Sequence, residues 1–578
     1  MYLKYNSRRL DGVFFFFFLF FLFLIVRIFY IQFFRFSFLK ELAKKQHNVY
    51  VELQPRRGNI YDCHLRPQVI NLTRQSLYAI PNQIKDKESL ISKLSNILNL
   101  DQDYLRDRLY RDKSFVWIAR KLSHSKVREI LSLNEEGLGF VKESLRAYPN
   151  HHLASHLLGF TDIDNIGLEG IELFYNDYLK GRAGFGLFLR DARGKILDLW
   201  EKVVLPQDGF DLVLTIDEVI QYIAERELDK VFKVFKAKSA SIVILNPFTG
   251  EILAMANRPT FDLNYAKDSS SSLRKNRAIT DIFEPGSSFK IVTAAAALET
   301  GIIKEDQNFF CENGSYQVAN HILHDHQPHG WLTFKEVIEQ SSNIGTTKVA
   351  QILGPKVIYH YIKAFGFGSP LGVDLPGEAK GMVKSPSLWS KTSIGAVPIG
   401  HEVGVTALQL ASAISVVANG GLLMKPFILK EVRDKYQVTI KQNFPFIVRR
   451  VISQNTALRL KEILAGVVEN GTGKLARIEG IRVAGKTGTA QKIGQDGRYV
   501  HDRFVASFIG FAPLDNPRIA ICIVVDEPKP YYFGGVVCAP VFKKVASEVL
   551  NYLGVSPQPL EDNLENTQDL ASLKNEID

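Results

Sequence analysis

The stretch "EPGSSFK", Glu284 to Lys290, sets two serines and a lysine just after a Pro-Gly turn. Pro285-Gly286 cannot continue a helix backwards, and the Ala-rich run Ile291 to Leu298 is stopped by Gly301, so Ser287 is predicted at a helix N-terminus, where unpaired N–H groups point outward. Residues three apart share a helical face. Ser287 and Lys290 are therefore neighbours, while Ser288, two residues from the lysine, faces away. A serine hydroxyl is a poor nucleophile until a base takes its proton, and a lysine among alanines can have its pKa lowered enough to serve. Ser287 is the candidate nucleophile, Lys290 its base, and Ser288 a helix-terminus or packing hydroxyl. On these three residues alone, two serines that only cap the helix explain the pattern better.

Two later stretches change the balance. "EQSSNIG" supplies Ser341, Ser342 and Asn343, with Ser341 and Asn343 able to point the same way from a turn. "AGKTGTA" supplies Lys486, Thr487, Gly488 and Thr489: a glycine that permits close backbone approach, beside hydroxyls that can hold a carboxylate. Each motif is weak; S-x-x-K, S-x-N and K-T-G in that chain order are specific.

The elements needed to position these residues follow from the pattern around them. "SASIVILNPFTGEILAMANRP" reads as two apolar strands joined by a Pro/Gly turn, and "RVAGKTGTAQ", "FVASFIGFAP" and "RIAICIVVDEP" as three more strands. "SFKIVTAAAALETG", "VTALQLASAISVVANGG" and "PVFKKVASEVLNYLG" are helical, the last with Gly554 as its C-cap. Strands, then helices, then strands again predict an α+β domain over 231–555, an antiparallel sheet with a helical lobe. Residues 35–230 read as a juxtamembrane helix, "RFSFLKELAKKQ", followed by a mixed segment whose role the pattern alone does not give. Val13 to Phe34, 22 residues with Arg27 as the one charge, is long enough for a transmembrane helix, and no A-x-A-like cleavage site follows it. Residues 1–12 precede this anchor, and the acidic tail 556–578 is expected to be disordered.

The 578 residues carry 71 Lys and Arg against 61 Asp and Glu, a net charge of +10 that rises to about +15 without the tail. With no zinc-finger, RNP or helix-turn-helix signature, this balance fits a membrane surface or an acidic substrate, not nucleic acid. Cys63, Cys311, Cys522 and Cys538 form no C-x-x-C pair and no disulfide-scaffold spacing and leave the compartment undecided, and Cys522 reads as a small buried hydrophobe. His321, His324, His326 and His329 lie close together around Asp325, and this stretch is read as a polar loop with no metal. Basic residues flank the anchor on both sides, so their count leaves its orientation open.

The ordered motifs resemble the penicillin-binding protein and serine β-lactamase superfamily. The likeness extends from the anchor to about Val555: "RRGNIYD", "RAYPNHHLASHLLGF" and "GLEGIELFYNDYL" resemble the non-catalytic pedestal of the class B penicillin-binding proteins, and "NRAITDIFEPGSSFKIV", "GHEVGVTALQLA" and "KTGTAQK" resemble their transpeptidase domain. "YYFGGVVCAPVFKKV" is more similar to the division and sporulation branches than to the elongation branch. "YDCHLRP" departs from the R-N-G turn more usual there.

The resemblance implies a peptidoglycan D,D-transpeptidase that crosslinks stem peptides during septal wall synthesis, without a cofactor. Ser287 would attack the carbonyl between two terminal D-alanines, with Lys290 as base. Ser341 would relay a proton to the departing D-alanine, Asn343 would hold the peptide amide and Lys486 would sustain a positive field. Thr487, Gly488 and Thr489 would bind the terminal carboxylate, and the N–H groups of Ser287 and Thr489 would form the oxyanion hole. The resemblance further implies single-pass insertion in the bacterial cytoplasmic membrane with the catalytic domain outside, a glycan-strand polymerase and other division proteins as partners, and covalent acylation by β-lactams.

Rival readings are a scaffold without activity, a β-lactam sensor and a D,D-carboxypeptidase. The intact set of five catalytic candidates opposes the first, and the one visible membrane crossing opposes the second. No glutamate from Glu378 to Glu479 has an asparagine four residues on, so the deacylating arrangement of a class A β-lactamase is absent from that stretch and the acyl-enzyme is expected to persist.

Overall fold

Both faces of the strand Ser239–Leu245 are buried, which is why it reads as an unbroken apolar run and not as an alternating one. Ile242 and Ile244 face one core, Val243 and Leu245 another. The computed structural model describes residues 7–113, 115–190, 196–494 and 498–555.

The chain forms two compact units, Met1–Arg56 with Gly181–Gly209, and Arg57–Lys180 with Phe210–Asp578. In the first, α1 (Ser7–Phe33) contains the segment Arg9–Phe33, long and apolar enough to cross a membrane. A second helix covers Phe36–His47, as its sequence predicts, and strands Asn48–Leu53, Gly184–Arg190 and Ile196–Val204 form a three-stranded sheet in that order. The acidic tail expected at 556–578 and the first six residues lie outside the described residues.

The principal elements of the second unit beyond residue 215 run α2 (Glu218–Val234), β1 (Ser239–Leu245), β2 (Ile252–Arg258), α3 (Lys290–Glu299), α4 (Asn343–Leu353), α5 (Ala407–Ala418), α6 (Gln454–Glu469), β3 (Ala484–Ile493), β4 (Tyr499–Ala512), β5 (Ile519–Asp526) and α7 (Ala539–Tyr552). The strands form one antiparallel sheet in the order β2-β1-β5-β4-β3, which leaves β3 at an edge. Leu228 of α2 and Val545 of α7 pack with Ile242 and Ile523 on one face. On the other face, Val243 and Val524 share a core with α3 and α5. All twelve residues of α5 are buried, so its small side chains are a packing requirement. This is the α+β arrangement expected, a sheet with a helical lobe.

A second sheet has the order Thr439–Gln442, Leu429–Arg433, Asp211–Leu214, Ile60–Tyr61, Pro67–Ala79 and Val116–Leu122, and Leu138–Ala147 also pairs with Pro67–Ala79. Two of its strands come from beyond residue 231. Leu429–Arg433 satisfies the main chain of Asp211–Leu214, so hydrogen bonding continues across the boundary placed at residue 230 by sequence texture.

The three pedestal-like stretches meet in one buried ion cluster. Arg57 from "RRGN" and Arg146 from "RAYPN" both hold Glu172 from "GLEGIEL": Arg57 Nε donates to Oε2 at 2.7 Å and Arg146 Nε to Oε1 at 2.6 Å. The side chains are 2%, 2% and 0% exposed. Arg57 also donates to the Asn165 carbonyl and to Asn176 Oδ1, and Arg146 to the Gly58 carbonyl. Charges this deep persist only when paired and hydrogen-bonded on most sides.

Candidate active site

Pro285 leads into a short 3-10 turn, Gly286–Phe289, which passes directly into α3 at Lys290. The sequence predicts an α-helical start here; the tighter turn keeps Ser287 and Lys290, three apart, on one face, while the hydrogen bonds of Lys290 Nζ run to Ser341 and Asn343 and not to Ser287. Gly286 has φ +54°, and a Cβ there would stand 2.5 Å from the Thr489 carbonyl oxygen. The turn is thus pressed against β3. Its other side is held by the Gly286 amide, which donates to the Gly400 carbonyl at 3.2 Å.

Ser287 is half-buried, whereas Ser288 is fully enclosed. Ser288 Oγ donates to the Pro285 carbonyl at 2.7 Å and lies 3.3 Å from Ser507 Oγ on β4. It is committed to packing.

Lys290 and Lys486 are both completely buried. Lys290 Nζ donates to the Ser341 carbonyl at 2.6 Å, to Asn343 Oδ1 at 2.8 Å and to Ser341 Oγ at 3.2 Å. Lys486 Nζ reaches the same Ser341 Oγ from β3 at 2.9 Å. The amines therefore converge on one hydroxyl. Burial pushes Lys290 down to about 7 against the pull of Asp325, and burial, with Lys290 close by, also pushes Lys486 well below the ordinary lysine value.

Ser341 has a left-handed backbone, φ +60°, immediately before the cap of α4. Ser342 caps that helix by accepting from the Gly345 amide at 2.9 Å, and it donates to Asp325 Oδ2 at 2.6 Å. Asp325 Oδ1 accepts from the Asn343 and Ile344 amides, and Asn343 Nδ2 donates to the His324 carbonyl at 2.9 Å. Asp325 thus fixes Ser342, Asn343 and the start of α4. The sequence places it in an ordinary polar loop; the signal available was an acid flanked by histidines, and its partners stand 17 to 19 residues further on.

Along β3, Lys486 and Gly488 share a face. A Cβ on Gly488 would stand 2.2 Å from Ser507 Oγ and 2.7 Å from the Pro285 carbonyl oxygen. The glycine lets the Ser287 turn lie on the strand. Thr487 Oγ1 lies 2.8 Å from Thr472 Oγ1, and Thr489 Oγ1 accepts from the Gly534 amide at 3.0 Å. Sequence reasoning missed Thr472. It also missed Glu284, which receives His401 Nδ1 at 2.9 Å, the Glu402 amide at 2.8 Å and the Tyr499 hydroxyl at 3.1 Å beside the turn.

Residues 240–547 match the penicillin binding protein transpeptidase domain family, and residues 52–214 match the penicillin-binding protein dimerisation domain family. The chain is 36% identical over 560 residues to stage V sporulation protein D of Bacillus subtilis, covering 95% of this chain and 86% of that protein. It is 34% identical to the probable peptidoglycan D,D-transpeptidase PenA of Neisseria gonorrhoeae, with 91% and 90% covered, and 31% identical to the peptidoglycan D,D-transpeptidase FtsI of Escherichia coli K12, with 88% and 86% covered. Penicillin binding protein 3 of Mycobacterium tuberculosis, solved in complex with aztreonam, superposes with a TM-score of 0.69 at 28% identity, covering 88% of this chain and 98% of that one. With the motifs gathered on one edge strand and two helix starts, and with the dimerisation match preceding the transpeptidase match along the sequence, the chain belongs to the class B penicillin-binding proteins.

Proposed function

We propose that this chain is a membrane-anchored peptidoglycan D,D-transpeptidase that works through a Ser287 acyl-enzyme. The observation that carries this reading is the convergence of Lys486 and of Lys290, one helical turn along from Ser287, on the Ser341 hydroxyl. Two buried amines sharing one acceptor cannot both hold a full charge cheaply, so burial and their mutual repulsion favour the neutral form of at least one of them. In its neutral form Lys290 keeps two N–H donors, which the Ser341 carbonyl and Asn343 Oδ1 accept, and its lone pair takes the Ser287 proton as the hydroxyl attacks the penultimate D-alanine carbonyl. Ser341 Oγ accepts from Lys486, which leaves its own proton free to turn toward the departing D-alanine nitrogen.

The charge that develops on the carbonyl oxygen is held by the main-chain N–H groups of Ser287 and Thr489, each worth about 3 kcal/mol in sites of this kind. Asn343 orients the donor peptide, and the Thr487–Thr472 hydroxyl pair, with Gly488 and Thr489, receives the terminal carboxylate. The acceptor amine of a second stem peptide then displaces Ser287 and closes the crosslink. A β-lactam enters the first half of this sequence and remains attached.

Labelling with a fluorescent penicillin tests the assignment: Ser287→Ala abolishes labelling and Ser288→Ala does not abolish it. Persistence in the first and loss in the second would overturn it. A donor stem peptide offered with a D-amino acid separates transpeptidation, which yields the exchanged peptide, from carboxypeptidation, which releases D-alanine alone.

The pedestal at 35–230 and the catalytic domain at 231–555 lie outside the cytoplasm in this reading, with 1–12 inside and α1 in the cytoplasmic membrane. A glycan-strand polymerase and other division proteins are the proposed partners, contacted through anchor and pedestal. Unchanged co-purification and septal recruitment after Val13 to Phe34 are replaced by an unrelated span would remove the anchor from that contact.

A further inference from the structure

The turn between strands Ile60–Tyr61 and Pro67–Ala79 carries Cys63 and His64 in the "YDCHLRP" stretch, and it closes against Asp217 at the start of α2. His64 Nε2 lies 3.0 Å and Cys63 Sγ 3.9 Å from the same oxygen, Asp217 Oδ2, and the Tyr552 hydroxyl of α7 donates to that oxygen at 3.1 Å. Three donors on one carboxylate oxygen exceed what its lone pairs accept well. The Cys63, His64 and Asp217 ligand atoms all lie within 4.8 Å of one another.

We propose that Cys63, His64 and Asp217 bind a divalent transition metal, zinc in the first instance, as a clasp between the hairpin turn and α2. Thiolate, imidazole and carboxylate together suit zinc, and three protein ligands leave its fourth position to water. A tetrahedral zinc holds sulfur and oxygen ligands about 3.5 Å apart, and nitrogen and oxygen ligands about 3.3 Å apart. The observed 3.9 Å and 3.0 Å need only a small adjustment, and the half-exposed His64 side chain has room to make it.

The turn is already built for the purpose. Asp62 Oδ1 accepts from the His64 and Arg66 amides at 2.9 and 2.7 Å, and the Cys63 amide donates to the Ile216 carbonyl at 2.9 Å. Asp217 Oδ1 caps α2 through the Val219 amide at 2.9 Å, with Arg66 Nη1 at 3.7 Å, so Oδ2 is the oxygen offered to the ion. On binding, the Cys63 thiol releases its proton to solvent and the sulfur binds as thiolate. The His64 and Tyr552 protons no longer compete for Oδ2.

The test uses the full-length protein in detergent, stripped with a chelator and dialysed against zinc, with bound metal measured by elemental analysis. One equivalent is expected in wild type, with affinity lower by about tenfold or more in Cys63→Ser and in His64→Ala. Cobalt in place of zinc is expected to give a thiolate-to-metal charge-transfer band that Cys63→Ser abolishes and His324→Ala with His326→Ala retains. Penicillin labelling of every variant checks that it is folded. No bound zinc in wild type, or undiminished zinc and an intact cobalt band in the Cys63→Ser, His64→Ala double variant, would overturn the proposal.

Discussion

Lys290 and Lys486, 196 positions apart in sequence, meet at the Ser341 hydroxyl at 3.2 and 2.9 Å. One comes from the first turn of a buried helix and the other from an edge strand, so the site exists only when the lobe and the sheet are assembled. The meeting also makes the proton balance of the site a property of the pair.

This balance sets the pH dependence. In the proposed role of base Lys290, lowered by burial to about 7, has to be neutral, so penicillin acylation is expected to rise with pH through that value and then level off. Acylation rates measured across the range check it. A rate that falls as pH rises through the same region would assign the needed state to the protonated amine.

Gly488→Ala places a methyl group where Ser507 Oγ, the Pro285 carbonyl and Ser288 Oγ already stand, within 2.2 to 2.8 Å. The Ser287 turn must lift from β3. Acylation is expected to drop by at least about a hundredfold, and stability by on the order of 1–3 kcal/mol. Acylation kinetics and thermal melts of the same preparation read the two effects.

Asp325→Ala removes the acceptor for the Asn343 and Ile344 amides and for the Ser342 hydroxyl. A lost helix cap costs about 1 kcal/mol, a modest loss for a chain this large. Acylation should suffer more than the melting temperature, because Asn343 and Ser341 lose their setting beside Lys290. Asp325→Asn, which keeps an acceptor oxygen, is expected to recover part of the rate.

Glu172→Gln leaves two buried guanidinium groups, those of Arg57 and Arg146, facing a neutral amide. The expected loss is about 3–5 kcal/mol, read by denaturant unfolding. Penicillin labelling of the protein that remains folded should persist, since the cluster lies outside the catalytic set.

What the sequence disclosed follows the range of its signals. Ser287 and Lys290 are three residues apart, so one turn of either helix type sets them on one face, and that placement is legible without any tertiary knowledge. The apolar strands β1 and β5 announce themselves because both of their faces are buried. Asp325 stood out locally only as an acid between two histidines, which does not disclose its role, because the groups it fixes lie a whole loop away. Leu429–Arg433 gave none either: it joins Asp211–Leu214, more than two hundred residues earlier, and no periodicity encodes a partner at that distance. Thr472 was silent for the same reason, since only the folded chain sets it beside Thr487.

The Arg57–Glu172–Arg146 cluster bears on how the polypeptide reaches its native state. Its lone acid is the last of the three to be synthesised, so any nascent or truncated product ending before residue 172 presents two cations to a core that cannot accept them. Consolidation of this region must therefore wait until about a third of the chain has been made, and until then the upstream segment stays open to chaperones and proteases.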